Sequence, residues 1–178
     1  MPTSRLLSVL ALTGLGALAT PALAASYVFT TTMSGAAEFI PNASLGTGNA
    51  TVTFDDVANT VSVVESWANL SALATANHIH VATTPGGQGG VVLGFASFVN
   101  PSPATGNFAA TFTLAPAALT SLLTNTKAGL SYVNLHSQAF GGGEIRGFLV
   151  AQVPEPETYA LLLAGLGLVG LVARRSRR

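Results

Sequence analysis

Apolar and polar residues alternate along most of this chain, in short runs separated by turn-forming residues. Phe108, Ala110, Phe112 and Leu114 interleave with Asn107, Ala109, Thr111 and Thr113, the two-residue period of a strand with one buried face. Runs of the same kind predict strands over 27–33, 50–54, 60–68, 77–81, 91–98, 131–136 and 144–150. One segment departs from the period. Pro116 stands at a first-turn position and Leu119, Leu122 and Leu123 share a face, which predicts a short helix. Many short strands with one helix predict a mainly β domain, an antiparallel Greek-key sandwich.

The two ends follow a different pattern. Arg5 precedes an apolar run from Leu6 to Ala19 and then Ala22-Leu23-Ala24. That order predicts a secretory signal peptide over 1–24, a hydrophobic helix removed by signal peptidase. Gly14, Gly16 and Pro21 would weaken a buried helix there but suit a leader. At the other end Val153-Pro154-Glu155-Pro156-Glu157 is stiff and extended, because proline fixes φ and restrains the residue before it. A second apolar run leads from there into Arg174, Arg175, Arg177 and Arg178. It predicts a transmembrane helix over 158–173 in the precursor, with the basic stop left in the cytoplasm. Residues 159–173 rise only about 22 Å as a helix, against a hydrocarbon core of roughly 30 Å. Snorkelling arginines make up part of the difference. The expected division is therefore a leader (1–24), one β-domain (25–152) and a sorting tail (153–178).

Charge sharpens this picture. The 178 residues include 7 basic and 7 acidic side chains, but five of the arginines lie in the two end segments. Within 25–152, Glu38, Asp55, Asp56, Glu65 and Glu144 face only Lys127 and Arg146, a net of −3. Two cations cannot neutralise a run of phosphates, which excludes nucleic acid as a partner. With no cysteine, disulfides, thiolate nucleophiles and cysteine-based metal sites are excluded as well.

Two resemblances attach to these residues. Val-Pro-Glu-Pro, a Leu/Gly-rich apolar span and an arginine cluster, in that order over 153–178, resemble the PEP-CTERM sorting signal of Gram-negative bacteria. The resemblance implies recognition by an exosortase, removal of the tail, and delivery to the cell surface or a biofilm matrix. Exopolysaccharide or other surface proteins are the partners it suggests there. Within the domain, Met-Ser-Gly-Ala-Ala-Glu-Phe-Ile-Pro (33–41), Gly-Asn-Ala-Thr-Val-Thr-Phe (48–54), Ala-Asn-His-Ile-His (76–80) and Tyr-Val-Asn-Leu-His…Gly-Gly-Glu-Ile-Arg-Gly (132–147) resemble the CHRD domain, the module named after chordin. The chain departs from the family at Ala37, at Phe39 and in the Gly-Phe-Leu that follows Arg146. That resemblance implies a β-sandwich, immunoglobulin-like or Cu/Zn superoxide dismutase-like, with a binding or structural role and no agreed activity. Glu38, Glu144 and Arg146 lie in its blocks.

The candidate chemistry falls in the same blocks. His78 and His80 are two apart on a strand and so point to one face; His136 shares a face with Tyr132 and Asn134. Three neutral imidazoles converging would suit zinc or copper. Alternatively they hydrogen-bond neighbouring backbone and close the sandwich. The order His-x-His, apolar strand ending in His, Gly-rich turn is similar to that of the copper ligands of Cu/Zn superoxide dismutase. The bridging histidine, zinc-loop carboxylate and cysteine pair of that enzyme have no counterpart. Glu144 and Arg146 are expected to form a same-face ion pair, or to partner Glu38. The Gly-rich stretch 85–90 lacks the lysine and following helix of a phosphate loop and is expected to be a flexible connection. Asp55-Asp56 with Asn59 reads as a hairpin turn, and Trp67 as core. No catalytic constellation is complete, so the chain is read as a surface protein, with an extracytoplasmic metal protein as the rival.

Overall fold

A computed structural model describes residues 26–152 and 156–175. The elements run β1 (Ser26–Ser34), a single 3-10 turn (Gly35–Ala37), β2 (Thr47–Asp55), β3 (Thr60–Ala68), β4 (Ala74–Ala82), β5 (Gly89–Gly94), β6 (Gly106–Thr113), α1 (Pro116–Lys127), β7 (Ser131–Ser137), β8 (Ile145–Phe148), β9 (Val150–Ala151) and α2 (Pro156–Arg175). All nine strands belong to one antiparallel sheet in the order β5-β4-β7-β8-β1-β2-β3-β6, with β9 against β1. The sheet curls until its halves, β5-β4-β7-β8 and β1-β2-β3-β6, share a core. The domain is thus mainly β and antiparallel, as expected, in the form of one curled sheet. The predicted N-terminal hydrophobic helix lies outside the described residues.

The inner face follows the alternation. Phe29, Met33, Val52, Phe54, Val61 and Val63 from one half meet Ile79, Val133, Leu135 and Ile145 from the other, all buried. Each such side chain contributes about 1.5–3 kcal/mol on leaving water. Leu119, Leu122 and Leu123 of α1 complete the cluster. Pro116 opens that helix at its first turn, and Gly129 (φ 71°) leaves it in a left-handed conformation. Trp67 is core, its indole N–H donated to the Pro103 carbonyl at 2.9 Å. The carboxylate of Asp55 accepts the N–H groups of Val57 and Ala58, making the expected hairpin turn.

Two predicted strands were too long. The run 91–98 stops pairing at Gly94, because Phe95 turns inward to stack on Phe108 and Phe112 at 5.2 and 5.6 Å. The run 144–150 divides at Leu149, where the chain leaves β7 for β1. Leu149 is buried at the crossover, its N–H donated to the Ser131 carbonyl. Residues 158–173 do lie in a helix, α2. Among the described residues, however, no helix is long and apolar enough to cross a membrane.

Candidate functional site

The outer face of the first half-sheet is where the polar residues gather. Cross-strand register sets Ala76 opposite His136, His78 opposite Asn134, and His80 opposite Tyr132. One strand further, Asn134 faces Arg146 and Tyr132 faces Phe148. Directly opposed residues share a face, so the three histidines, Asn134, Tyr132 and Arg146 form one surface. The opposite phase of the same strands carries buried Ile79, Val133, Leu135 and Ile145, with Asn77, Ser131 and Ser137 as its buried polar members. Strand β7 is buried on both faces because the 37–44 segment and the glycine-rich loops fold over its outer side.

The structure brings His78, His80 and His136 together. Their ring centroids are 5.5, 5.0 and 6.4 Å apart, and one nitrogen from each lies within 4.8 Å of the others. His80 Nδ1 is 3.0 Å from the Gly89 carbonyl and His136 Nδ1 is 2.9 Å from that of Gly141. A carbonyl only accepts, so both Nδ1 atoms carry the proton and both Nε2 atoms present a lone pair. Those Nε2 atoms, and Nδ1 of His78, are buried without a partner. Burial pushes the His78 pKa down to about 4, helped by the charges of His136 and His80. It also lowers His80 and His136, against the carbonyl bonds that work the other way. All three rings are therefore neutral at pH 7. Tyr132 stacks on His80 at 4.9 Å and nearly parallel.

Glu144, just ahead of β8, and Arg146, within it, bond different partners and not each other, contrary to the ion pair expected. Glu144 Oε1 accepts the Ser44 hydroxyl at 2.5 Å and the Ser71 N–H at 2.6 Å. Burial favours its acid form, but hydrogen bonds from Ser137, Ser44 and Ser71 outweigh burial and hold its pKa low. Asn42 donates to the Glu144 carbonyl at 3.0 Å, so this residue fastens the 42–44 segment to the sheet. Arg146 donates from Nε to the Ala37 carbonyl (2.6 Å), from Nη1 to Gly87 (2.9 Å) and from Nη2 to Gly86 (3.1 Å). Its guanidinium lies 4.9 Å from the Tyr132 ring. Glu38 is buried, with Oε1 unpartnered. Burial raises its pKa to about 7 although Arg146 pulls it down.

Sequence reasoning allowed for histidines bonded to backbone, but not for which carbonyls they meet or for those that hold Arg146. The loop expected to be a flexible connection supplies three of them, from Gly86, Gly87 and Gly89, to Arg146 and His80. Gly89 has a packing requirement, since a Cβ there would run into the Val81 carbonyl. Glu65 was missed too. It occupies the inward phase of β3, in step with Val61, Val63 and Trp67, and that phase was the available signal. Asn77 Nδ2 donates to its Oε2 at 2.5 Å, while burial raises its pKa to about 7.

Of the tail's expected residues, Val153, Pro154, Glu155, Arg177 and Arg178 lie outside the described set. Pro156 opens α2, and Arg174 and Arg175 fall in its last turn, where cations favour the negative end of the helix dipole.

Fold and site together define an antiparallel β-domain with an imidazole cluster on its outer face, followed by a hydrophobic helical tail. Residues 29–149 match the model of the CHRD domain, and the chain belongs to that family. Residues 152–178 match the PEP-CTERM protein-sorting motif, which makes this an extracellular protein sorted by exosortase. No curated protein and no solved structure matches the chain.

Proposed function

We propose that this chain is a surface-delivered metal-binding protein whose CHRD domain holds Zn²⁺ or Cu²⁺ on His78, His80 and His136. One observation carries the reading: three neutral rings from two adjacent strands bring a nitrogen each within 4.8 Å of one another, and each ring has a buried nitrogen without a partner. Desolvated lone pairs of this kind are costly unless something accepts them. A borderline cation does so, and two of the three ligands already have their other nitrogen held by a carbonyl, the usual outer-shell arrangement of metal-bound histidine. Three protein ligands leave a coordination position open, as in sites that exchange water or substrate. Bound copper would make the centre redox-competent; bound zinc would serve binding or architecture. The chain's residues orient the rings, exclude water from one side and keep the nitrogens unprotonated.

Delivery completes the proposal. The leader over 1–24 is cut by signal peptidase, the tail holds the precursor at the inner membrane, and exosortase recognises the 153–156 motif and removes the tail. The mature domain then stands at the outer surface or in the matrix, among exopolysaccharide or other surface proteins.

Elemental analysis of the purified full chain tests the metal reading. Stoichiometric zinc or copper is expected, and its loss in a His78→Ala/His80→Ala variant that remains folded. A wild-type chain that stays metal-free after incubation with either ion overturns it and leaves the histidines a purely structural role. Sorting is tested separately: a Pro154→Ala/Glu155→Ala chain should retain its tail and fail to reach the surface.

A further inference from the structure

A second site lies beside the histidines. A cavity of about 400 Å³ opens between the 38–42 segment, β7 and the 140–143 loop, within the size range of small-molecule clefts. Its floor holds two buried side chains with unpartnered oxygens: Glu38, 9% exposed, with Oε1 free, and Asn134, 4% exposed, with Oδ1 free. Both lie against Gly143. A Cβ built on Gly143 would stand 2.9 Å from Glu38 Oε1 and 2.7 Å from the Asn134 carboxamide. Any side chain at 143 would have to displace both, and the φ of 126° disfavours one as well. The rim is apolar, with Phe39 (53% exposed), Ile40 (81% exposed) and Phe140.

The chemistry narrows the occupant. Two inward acceptors call for a molecule that donates at least two hydrogen bonds from neighbouring positions. An anion would set its own lone pairs against those two acceptor oxygens, and Arg146 turns an N–H of each of its three nitrogens to a carbonyl instead. A cation would meet the fixed positive charge of that same guanidinium. A neutral molecule remains. Burial keeps the Glu38 carboxyl partly in its acid form, so it both donates and accepts, as does a carboxamide. Vicinal hydroxyls match both groups, and exposed aromatic and aliphatic side chains at the rim suit the apolar face of a ring. We infer that this cavity binds a neutral polyhydroxylated ring, a single sugar residue, held by Glu38 and Asn134 against Phe39 and Phe140.

The cavity shares its walls with the imidazole cluster. Gln88 and Tyr132 line it, and they adjoin the Gly89 carbonyl and the His80 ring. The inference does not depend on metal, and its test separates the two. Saturation-transfer NMR on the full chain in a non-sugar detergent, with chelator and again with zinc, is run against glucose, galactose, mannose and acetamide. At least one hexose should saturate at about millimolar to tens of millimolar, the range open to a ligand of that size. Glu38→Ala should weaken it at least tenfold while leaving any metal content unchanged, and Gly143→Ala should abolish it by displacing the Glu38 and Asn134 side chains. If Gly143→Ala fails to fold, Glu38→Ala alone decides. No saturation by any hexose overturns the inference, as does binding that survives Glu38→Ala. Acetamide binding in place of the hexoses overturns the assignment to hydroxyls.

Discussion

The core between the two half-sheets and the outer face of the β5-β4-β7-β8 half take polar groups out of water by different means. Inside, Glu65 of β3 and Asn77 of β4 are set among aliphatic and aromatic side chains and joined by one hydrogen bond, which leaves Glu65 Oε1 and Asn77 Oδ1 without a partner. Outside, histidines, Asn134 and Arg146 lie under loops whose carbonyls take up several of their donors. The inner pair is an exception that the core tolerates. The outer set is an environment built for it, with ring nitrogens left over. The difference teaches where binding chemistry can reside: on the face where loops, not packing, do the covering.

The sharpest way to break this comparison is to hollow out each face. Phe54 is fully buried and meets Phe29 edge-on at 5.6 Å. Phe54→Ala should cost about 3–5 kcal/mol in urea unfolding, the cost of a large cavity that the sheet cannot close. A comparable loss from truncating an outer-face histidine would erase the distinction.

Titration separates the faces by sign. Burial raises the Glu65 pKa from 4.5 to about 7, with the Asn77 bond working against it. A raised carboxyl contributes stability that is fully present below about pH 4.5 and lost as pH climbs to about 7. A shift of that size corresponds to about 3 kcal/mol. The histidines are lowered, His78 to about 4. Their contribution is present above pH 6.5 and lost as pH falls toward 4. In metal-free protein, Glu65→Gln should therefore remove about half of the loss between pH 4.5 and 7 and leave the acid-side loss. Glu38, also raised to about 7, keeps part of the alkaline slope. Urea midpoints from pH 4 to 8 check this; identical profiles for variant and wild type would refute it.

Next in size is Arg146, which ties the outer face to two loops. Arg146→Lys keeps the charge but loses the planar fork that reaches the Ala37, Gly86 and Gly87 carbonyls together. An expected loss of about 1–3 kcal/mol should come with faster amide exchange in the 86–89 loop. Exchange that speeds up only in the core strands would place the role of Arg146 elsewhere.

The legibility of the chain divides along the same line. Alternation revealed the inner face because burial there is a matter of period: β3 has the predicted bounds, and Trp67 and the leucines of α1 are core. Strand ends such as Gly94 and Leu149 were not legible, since pairing stops there for tertiary reasons, an inward phenylalanine and a crossover to β1. On the outer face the histidines were legible as residues and as a face. Their partners were not, because a carbonyl belongs to every residue and carries no sequence signal. The same blindness produced the expected Glu144–Arg146 ion pair, where each residue in fact bonds to a different loop.

The smallest expected effect discriminates most between a metal site and a structural one. His80 and His136 each donate to a carbonyl, so His80→Ala and His136→Ala leave the Gly89 or Gly141 oxygen without that donor. Each should cost about 1–2 kcal/mol in metal-free protein. His78 Nδ1 has no partner to lose. His78→Ala removes a desolvated nitrogen along with some ring contact, and should leave metal-free stability within about 1 kcal/mol of wild type. With zinc present the order should invert, because wild type gains the linkage term of a bound ion and His78→Ala does not. Urea unfolding with chelator and then with zinc gives both values for each variant. A large loss from His78→Ala in chelator would mean that the ring is a structural wedge, and the three nitrogens would then be a by-product of packing.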